Sequence, residues 1–206
     1  MKSQYVQNFP VTYRVRTAPF YTWCSILVAL VVMVTLAVSG GAVALLTRGW
    51  GVVFLAYAVW YLLGRPHVVV GRDEVTVVNP FVTHTVNYAA LIDISTRYHL
   101  TLVTPTRGYQ AFGIPSSGMV ASLNAHKQDL KRLPSITYGA GGSVRTSDLP
   151  NSSAGAVALV LRGYWQELVE DGALDQVQPL QTSRVDVRGA VVFAVLLVAA
   201  VAGLMV

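Results

Sequence analysis

Four histidines and one cysteine, His67, His84, His99, His126 and Cys24, are the residues best suited to metal ligation, proton transfer or nucleophilic attack. A zinc site needs imidazoles and thiolates at short, fixed spacings. None of the four histidines stands at such a spacing from another or from Cys24. His84 falls in a strand pattern and His99 beside a turn, where a surface role is the ordinary one. Cys24 lies in an apolar run and reads as a small buried hydrophobe. As a single cysteine it excludes an internal disulfide. Asp73-Glu74 and Glu170-Asp171 are adjacent acids at element ends, where solvated charge explains them. Tyr138-Gly139-Ala140-Gly141-Gly142-Ser143 lacks the lysine and the preceding buried strand of a phosphate loop. No nucleophile elbow, zincin helix or dinucleotide loop is present. The pattern points to no enzyme, no metal and no cofactor. A Ser/His/Asp site assembled from distant segments is the alternative that one sequence leaves open.

What remains is cationic. Arg65, Arg72, Lys127, Lys131, Arg132, Arg184 and Arg188 lie beside apolar runs or in a basic stretch. They are the candidate contacts to lipid headgroups or to a partner. The net charge of +5 is mostly of this kind, fits an anionic leaflet, and gives no reason to invoke nucleic acid.

The elements around these residues are of two kinds. Of the residues, 53% are hydrophobic and only 12% charged, against about 25% charged in a soluble domain. All ten acids lie between Asp73 and Asp186. Thr17–Thr47 carries no charge, and neither does Gly49–Gly64. With Ser39-Gly40-Gly41 as a break, this predicts a transmembrane hairpin over 20–64, with spans near Phe20–Val38 and Ala44–Leu63. Arg48 would snorkel to the interface. Tyr21, Trp23, Trp50, Trp60 and Tyr61 lie near span ends, where amphipathic rings prefer the headgroup layer. A leader cleaved near Ala37-Val38-Ser39 is the rival reading, although the second run would still anchor the chain. Arg65-Pro66 stops the second helix. Residues 189–206 form a third uncharged run, long enough for about 27 Å of helix, close to a hydrocarbon core.

The central stretch alternates apolar and polar residues in short runs. His67–Val70, Val75–Val77, Val82–Val86, Ile92–Thr96, Leu100–Thr104 and Tyr109–Phe112 read as strands. Asn79-Pro80 and Pro105–Gly108 read as turns. The expectation is a small antiparallel barrel or sandwich. Val157, Val160, Leu161, Tyr164, Trp165 and Leu168 then recur at helical spacing, between a cap at Asn151-Ser152-Ser153 and a stop at Gly172. This helix should cap the barrel, with Trp165 in the core. Met119–Leu133 reads either as a basic amphipathic helix on the membrane or as a solvated loop, and Ser135–Pro150 as a flexible loop.

The order DEVTVVNPFVTHTVNYAALIDI, LTLVT, GYQAFGIP resembles the bacterial pleckstrin-homology (PH) domains of actinobacterial membrane proteins. The matching positions are Val75, Val77, Asn79, Thr85, Val86, Tyr88, Ile92, Leu100, Leu102, Gly108, Tyr109, Ala111, Phe112, Gly113 and Pro115. The resemblance implies a partly open barrel closed by a helix, between two preceding spans and one following. It carries no catalytic residue and does not imply phosphoinositide binding.

The fold class expected is therefore a membrane protein of α+β type, with three transmembrane helices and a cytoplasmic PH-like barrel or sandwich capped by an amphipathic helix. Its parts are a cytoplasmic segment 1–19, the hairpin 20–64, the PH-like domain 65–172 with a flexible insertion 116–150, a connector 173–188 and a last span 189–206. Lys2, Arg14, Arg16, Arg65, Arg72, Arg184 and Arg188 flank the spans on one side, against Arg48 alone on the other. The positive-inside rule then puts the N-terminus and the PH-like domain in the cytoplasm and Val206 at the outer face of the plasma membrane. No ionisable residue lies deep within a span, which counts against a transporter or channel. Small residues such as Ala42, Ala44, Ala190, Ala194 and Gly203 suit helix packing. The function expected is a non-catalytic accessory or scaffold subunit that binds membrane lipids and other integral membrane proteins. A respiratory supercomplex is one specific case. A module for anionic lipid headgroups is the alternative.

Overall fold

β-Branched alternation builds the strands. In the computed structural model, which describes residues 3–6, 8–15, 17–116, 148 and 152–205, two sheets form. The first has the order β1-β2-β3-β4-β8, with β1 Val11–Tyr13, β2 His67–Val70, β3 Glu74–Val78, β4 Val82–Asn87 and β8 Gln181–Val185. The second has the order β5-β6-β7, with β5 Asp93–Ser95, β6 His99–Val103 and β7 Gly108–Pro115. The pairs β1–β2, β2–β3, β5–β6 and β6–β7 are antiparallel. Register sets Val68 opposite Val77 and Val70 opposite Val75. All four are fully buried, as period-2 alternation requires when one face is covered.

The helix α2, Ser153–Glu170, supplies cover. Ser152 caps it, its Oγ accepting from the Gly155 N–H at 2.8 Å. Val157, Leu161, Tyr164 and Leu168 fall on one stripe and join Val86, Tyr88, Ile94, Leu100, Leu102 and Tyr109 in a single core. Trp165 packs against that core from a partly buried position. Arg162, on the same helix, is buried with Asp148 in an ion pair of 2.8 Å. The guanidinium also donates to the Ile94 carbonyl, through Nε at 3.0 Å and through Nη2. Thr96 donates to Asp148 at 2.6 Å.

Two expected segments have more structure than their composition announces. Residues 1–19 were expected to be a polar tail, yet Val11–Tyr13 pairs with β2 and Val6 is part of the core. The connector 173–188 holds β8, a neighbour of β4. Strands of three and five residues are too short for their alternation to stand out; a neighbouring strand edge recruits them. The expected helix Met119–Leu133 and the insertion 116–150, except Ser116 and Asp148, lie outside the described residues.

The chain divides into two units: 1–15, 67–78 and 84–183 in one, and 16–66, 79–83 and 184–206 in the other. The second unit is helical. Instead of the three spans expected, it contains, among the described residues, two helices long and apolar enough to cross a membrane, Ala18–Gly64 and Val187–Leu204. The first is not one straight rod: no proline ends it, but its backbone leaves helical geometry at Gly41. It consists of α1, Ala18–Val59, and a closing π-helical turn, Trp60–Gly64. Gly41 breaks α1 with φ 61° and ψ −157°, values that only glycine adopts without strain. The halves on either side of Gly41 face each other: a Cβ on Gly49 would lie 3.3 Å from the Met33 sulfur. Between them runs an apolar groove of about 450 Å³, bordered by Ile26 and Met33 on one half and Val53 and Tyr57 on the other. The last helix, α3 (Val187–Leu204), comes so close to α1 that a Cβ on Gly203 would collide with the Thr47 carbonyl.

Candidate functional site

One polar network in the β-rich unit brings together side chains able to do chemistry. β4 carries His84, β8 carries Ser183, and Arg107 sits in the turn between β6 and β7. The turn is closed by the Thr104 amide donating to the Arg107 carbonyl at 3.0 Å and by the Thr104 hydroxyl donating to the same oxygen at 2.8 Å. His84 Nδ1 lies 2.8 Å from Ser183 Oγ. Arg107 donates through Nη2 to Ser183 Oγ at 3.2 Å and through Nε to the Tyr109 hydroxyl at 3.0 Å. The Tyr109 hydroxyl donates in turn to Gln181 Oε1 at 3.3 Å, and Gln181 Nε2 to Thr106 Oγ1 at 2.6 Å. The Tyr109 ring packs against His84, with centroids 4.9 Å apart, and against the Arg107 guanidinium, also at 4.9 Å.

A serine beside a histidine invites comparison with a nucleophile and its base. Two features oppose that use. No carboxylate hydrogen-bonds His84 among the described residues, so nothing completes a triad. Partial burial and then the Arg107 charge push the His84 pKa below its ordinary value, which makes the imidazole a weaker base. No group of three or more His, Cys, Asp or Glu could hold a metal among the described residues. Cys24, expected to be buried, is exposed on α1. Two core tyrosines serve the fold. Tyr88 donates to the Gly71 carbonyl and Tyr164 to that of Arg72, each at 3.0 Å. Burial is the main cause that raises both their pKa values, so both remain neutral donors.

A second cluster lies in the helical unit and involves one of the sequence candidates. Arg65 pairs with Asp186 at 3.0 Å and donates through Nη1 to the carbonyls of Asn79 and Pro80, each at 2.6 Å. Asp186 also accepts from the Tyr61 hydroxyl at 3.1 Å and caps α3 through the Gly189 N–H at 3.2 Å. Tyr57, Tyr61, Phe81 and Phe193 pack around it, with Tyr57 and Tyr61 stacked at 5.5 Å and Tyr61 and Phe81 edge to face at 5.3 Å. Arg65 is thus committed to internal partners. Arg72, Arg184 and Arg188 are exposed, and Lys127, Lys131 and Arg132 lie outside the described residues. Among the described residues, neither ion pair includes Arg72, Arg184 or Arg188. Arg107, Ser183 and Asp186 went unremarked as functional residues in the sequence. No spacing links them, because they come from a turn, a late strand and a helix cap.

Residues 65–147 match the family model of the bacterial PH domain. That match supports a PH domain-containing protein and agrees with the two antiparallel sheets and covering helix described above. Comparison with curated proteins and with solved structures finds no match.

Proposed function

We propose that this chain is a non-catalytic, multi-pass protein of the plasma membrane, an accessory or scaffold subunit whose PH-like unit and helices bind partner proteins. The observation that carries this reading is the exposure of its apolar helices. None of the most apolar 18-residue window of Ala18–Gly64 is buried, whereas the core helix of a soluble protein hides such a window. Water is a poor neighbour for that surface; lipid and partner helices are good ones. A PH domain supports a module that binds proteins or lipids rather than one that catalyses. The cytoplasmic placement of the N-terminus and of the PH-like unit, with Val206 at the outer face, follows from the arginine distribution. A respiratory supercomplex remains the specific case raised by the resemblance to actinobacterial proteins.

Purification of the full chain in a mild detergent, followed by native mass spectrometry, tests this reading. A stoichiometric protein partner is the expected result, and a strictly monomeric protein without a partner would overturn it. The exposure of Arg72, Arg184 and Arg188 favours a second reading, recognition of anionic headgroups. Under that reading the monomer would carry an anionic lipid, released as salt is raised.

A further inference from the structure

The two halves of α1 meet at two glycines and part between them. Toward the Gly41 break, Gly49 lies against the Met33 sulfur. At the other end a Cβ on Gly64 would collide with the Thr22 hydroxyl, so the halves touch there as well. Between these contacts the walls include Ile26, Ala29 and Met33 on one half and Val53 and Ala56 on the other. Ala29 and Ala56 are too small to fill the space, and the groove of about 450 Å³ stays open along its side, where Ile26, Val53 and Trp60 are exposed. Its polar groups are few. Tyr57 donates its hydroxyl proton to the Gly189 carbonyl at 3.2 Å. Trp60 packs its ring against Tyr57 and Tyr61, but its indole N–H has no partner among the described residues. An indole N–H away from water needs an acceptor.

The size of the groove selects its occupant. The rise from Thr22 to Met33 is about 16 Å. Spread over that rise, the volume leaves a cross-section of about 30 Å². A helix about 10–12 Å across needs about 80 Å² or more, so neither a partner helix nor a second copy of α1 enters. A single hydrocarbon chain, whose carbons pack at about 4 Å, does. We propose that this groove binds one acyl chain of a membrane phospholipid, with the Trp60 N–H donating to the ester carbonyl of that chain. The inference rests on the membrane reading above, which surrounds the groove with lipid. Aliphatic walls accept a chain without desolvating a polar group. A tryptophan at a span end sits near the headgroup layer, at the depth of the ester groups. The ligand is recognised by its chain and its carbonyl, not by headgroup charge.

The test places the full chain in nanodiscs of phosphatidylcholine doped, below saturation, with an analogue that carries a diazirine on one acyl chain. The zwitterionic headgroup keeps net charge out of the result. Illumination followed by peptide mass spectrometry locates the adducts. Labelling of Ile26, Met33 and Val53 above that of Leu27 and Leu55, two outward residues of α1, is expected. Ala56→Phe, which fills the groove, should bring the two sets level, and Leu55→Phe should change nothing. An ether-linked analogue, which lacks the carbonyl, should label the groove about two- to tenfold less, as the loss of one hydrogen bond implies. Trp60→Phe should abolish that difference. Near-UV circular dichroism confirms the fold of each variant. Even labelling of the groove and the outward residues would overturn the site and leave the membrane reading intact. Protection of the groove residues relative to Leu27 and Leu55 would overturn it in favour of a protein occupant. Equal labelling by the ester and ether analogues would overturn the carbonyl contact. No labelling anywhere on α1 would overturn the site and the membrane reading together.

Discussion

In the β-rich unit Val68, Val70, Val75 and Val77 are all 0% exposed, whereas Val34 and Val38 on α1 are 62% and 84% exposed. The side chain is the same and the backbones differ. A strand satisfies its amides only through neighbours, so the sheet must assemble, and its pleat then sends alternate valines to one covered face. A helix satisfies its own amides and can leave its valines outward wherever the surroundings are not water. Apolar content therefore makes a core in one unit and an outer surface in the other. The Arg162–Asp148 pair sharpens the contrast. Charge is buried where the core is watertight, whereas the Arg65–Asp186 pair keeps side-chain exposures of 20% and 24%.

The largest effect expected is at the buried pair. Arg162→Met should destabilise the β-rich unit by about 3–5 kcal/mol, because it strands the Asp148 carboxylate. Hydrogen exchange of the β5 and β6 amides would register the loss, and Arg162→Met with Asp148→Leu should recover part of it. Next, Leu102→Ala should cost about 2–5 kcal/mol and Leu30→Ala less than about 0.5 kcal/mol. Thermal unfolding of the two variants in one detergent compares them, and equal losses would break the distinction between core and outward surface. Gly41→Val places a β-branched residue at φ 61°, which costs about 1–3 kcal/mol. A cysteine cross-link between the halves of α1, Met33→Cys with Gly49→Cys, should then form more slowly than in the chain that keeps Gly41.

The smallest effect is electrostatic. Burial and Arg107 lower the folded-state pKa of His84. The folded form then binds fewer protons than the unfolded one near an imidazole pKa of about 6.5. The contribution of His84 to stability is present above that pH and is lost as pH falls through its folded pKa. An NMR titration should place its midpoint below the ordinary histidine value, and Arg107→Gln should move that midpoint upward.

Much of the β-rich unit was legible in advance. Val75–Val77, Val82–Val86 and Leu100–Thr104 alternate, Ser152 is a cap, and Leu161 and Leu168 keep helical spacing. These are local signals that the structure repeats. Val11–Tyr13 and Gln181–Val185 were not legible, because their strand state comes from neighbours distant in sequence. The candidate site was mostly illegible for the same reason. Arg65 stands beside an apolar run in the sequence, yet its commitment to Asp186 depends on a residue 121 positions later in the chain.

By itself the sequence determined what each segment demands of its surroundings: apolar runs too long and too uncharged for a water-facing helix, alternating strands that need one covered face, a glycine where α1 must break. Those demands are local, set by side-chain transfer energies and backbone sterics. Only the tertiary structure decided which groups share a hydrogen bond or a charge. It brought His84, Arg107 and Ser183 into one network and closed Arg65 and Arg162 onto their acids. A hydrogen bond or ion pair acts over about 3 Å, a distance that chain spacing does not encode once the partners lie on different elements.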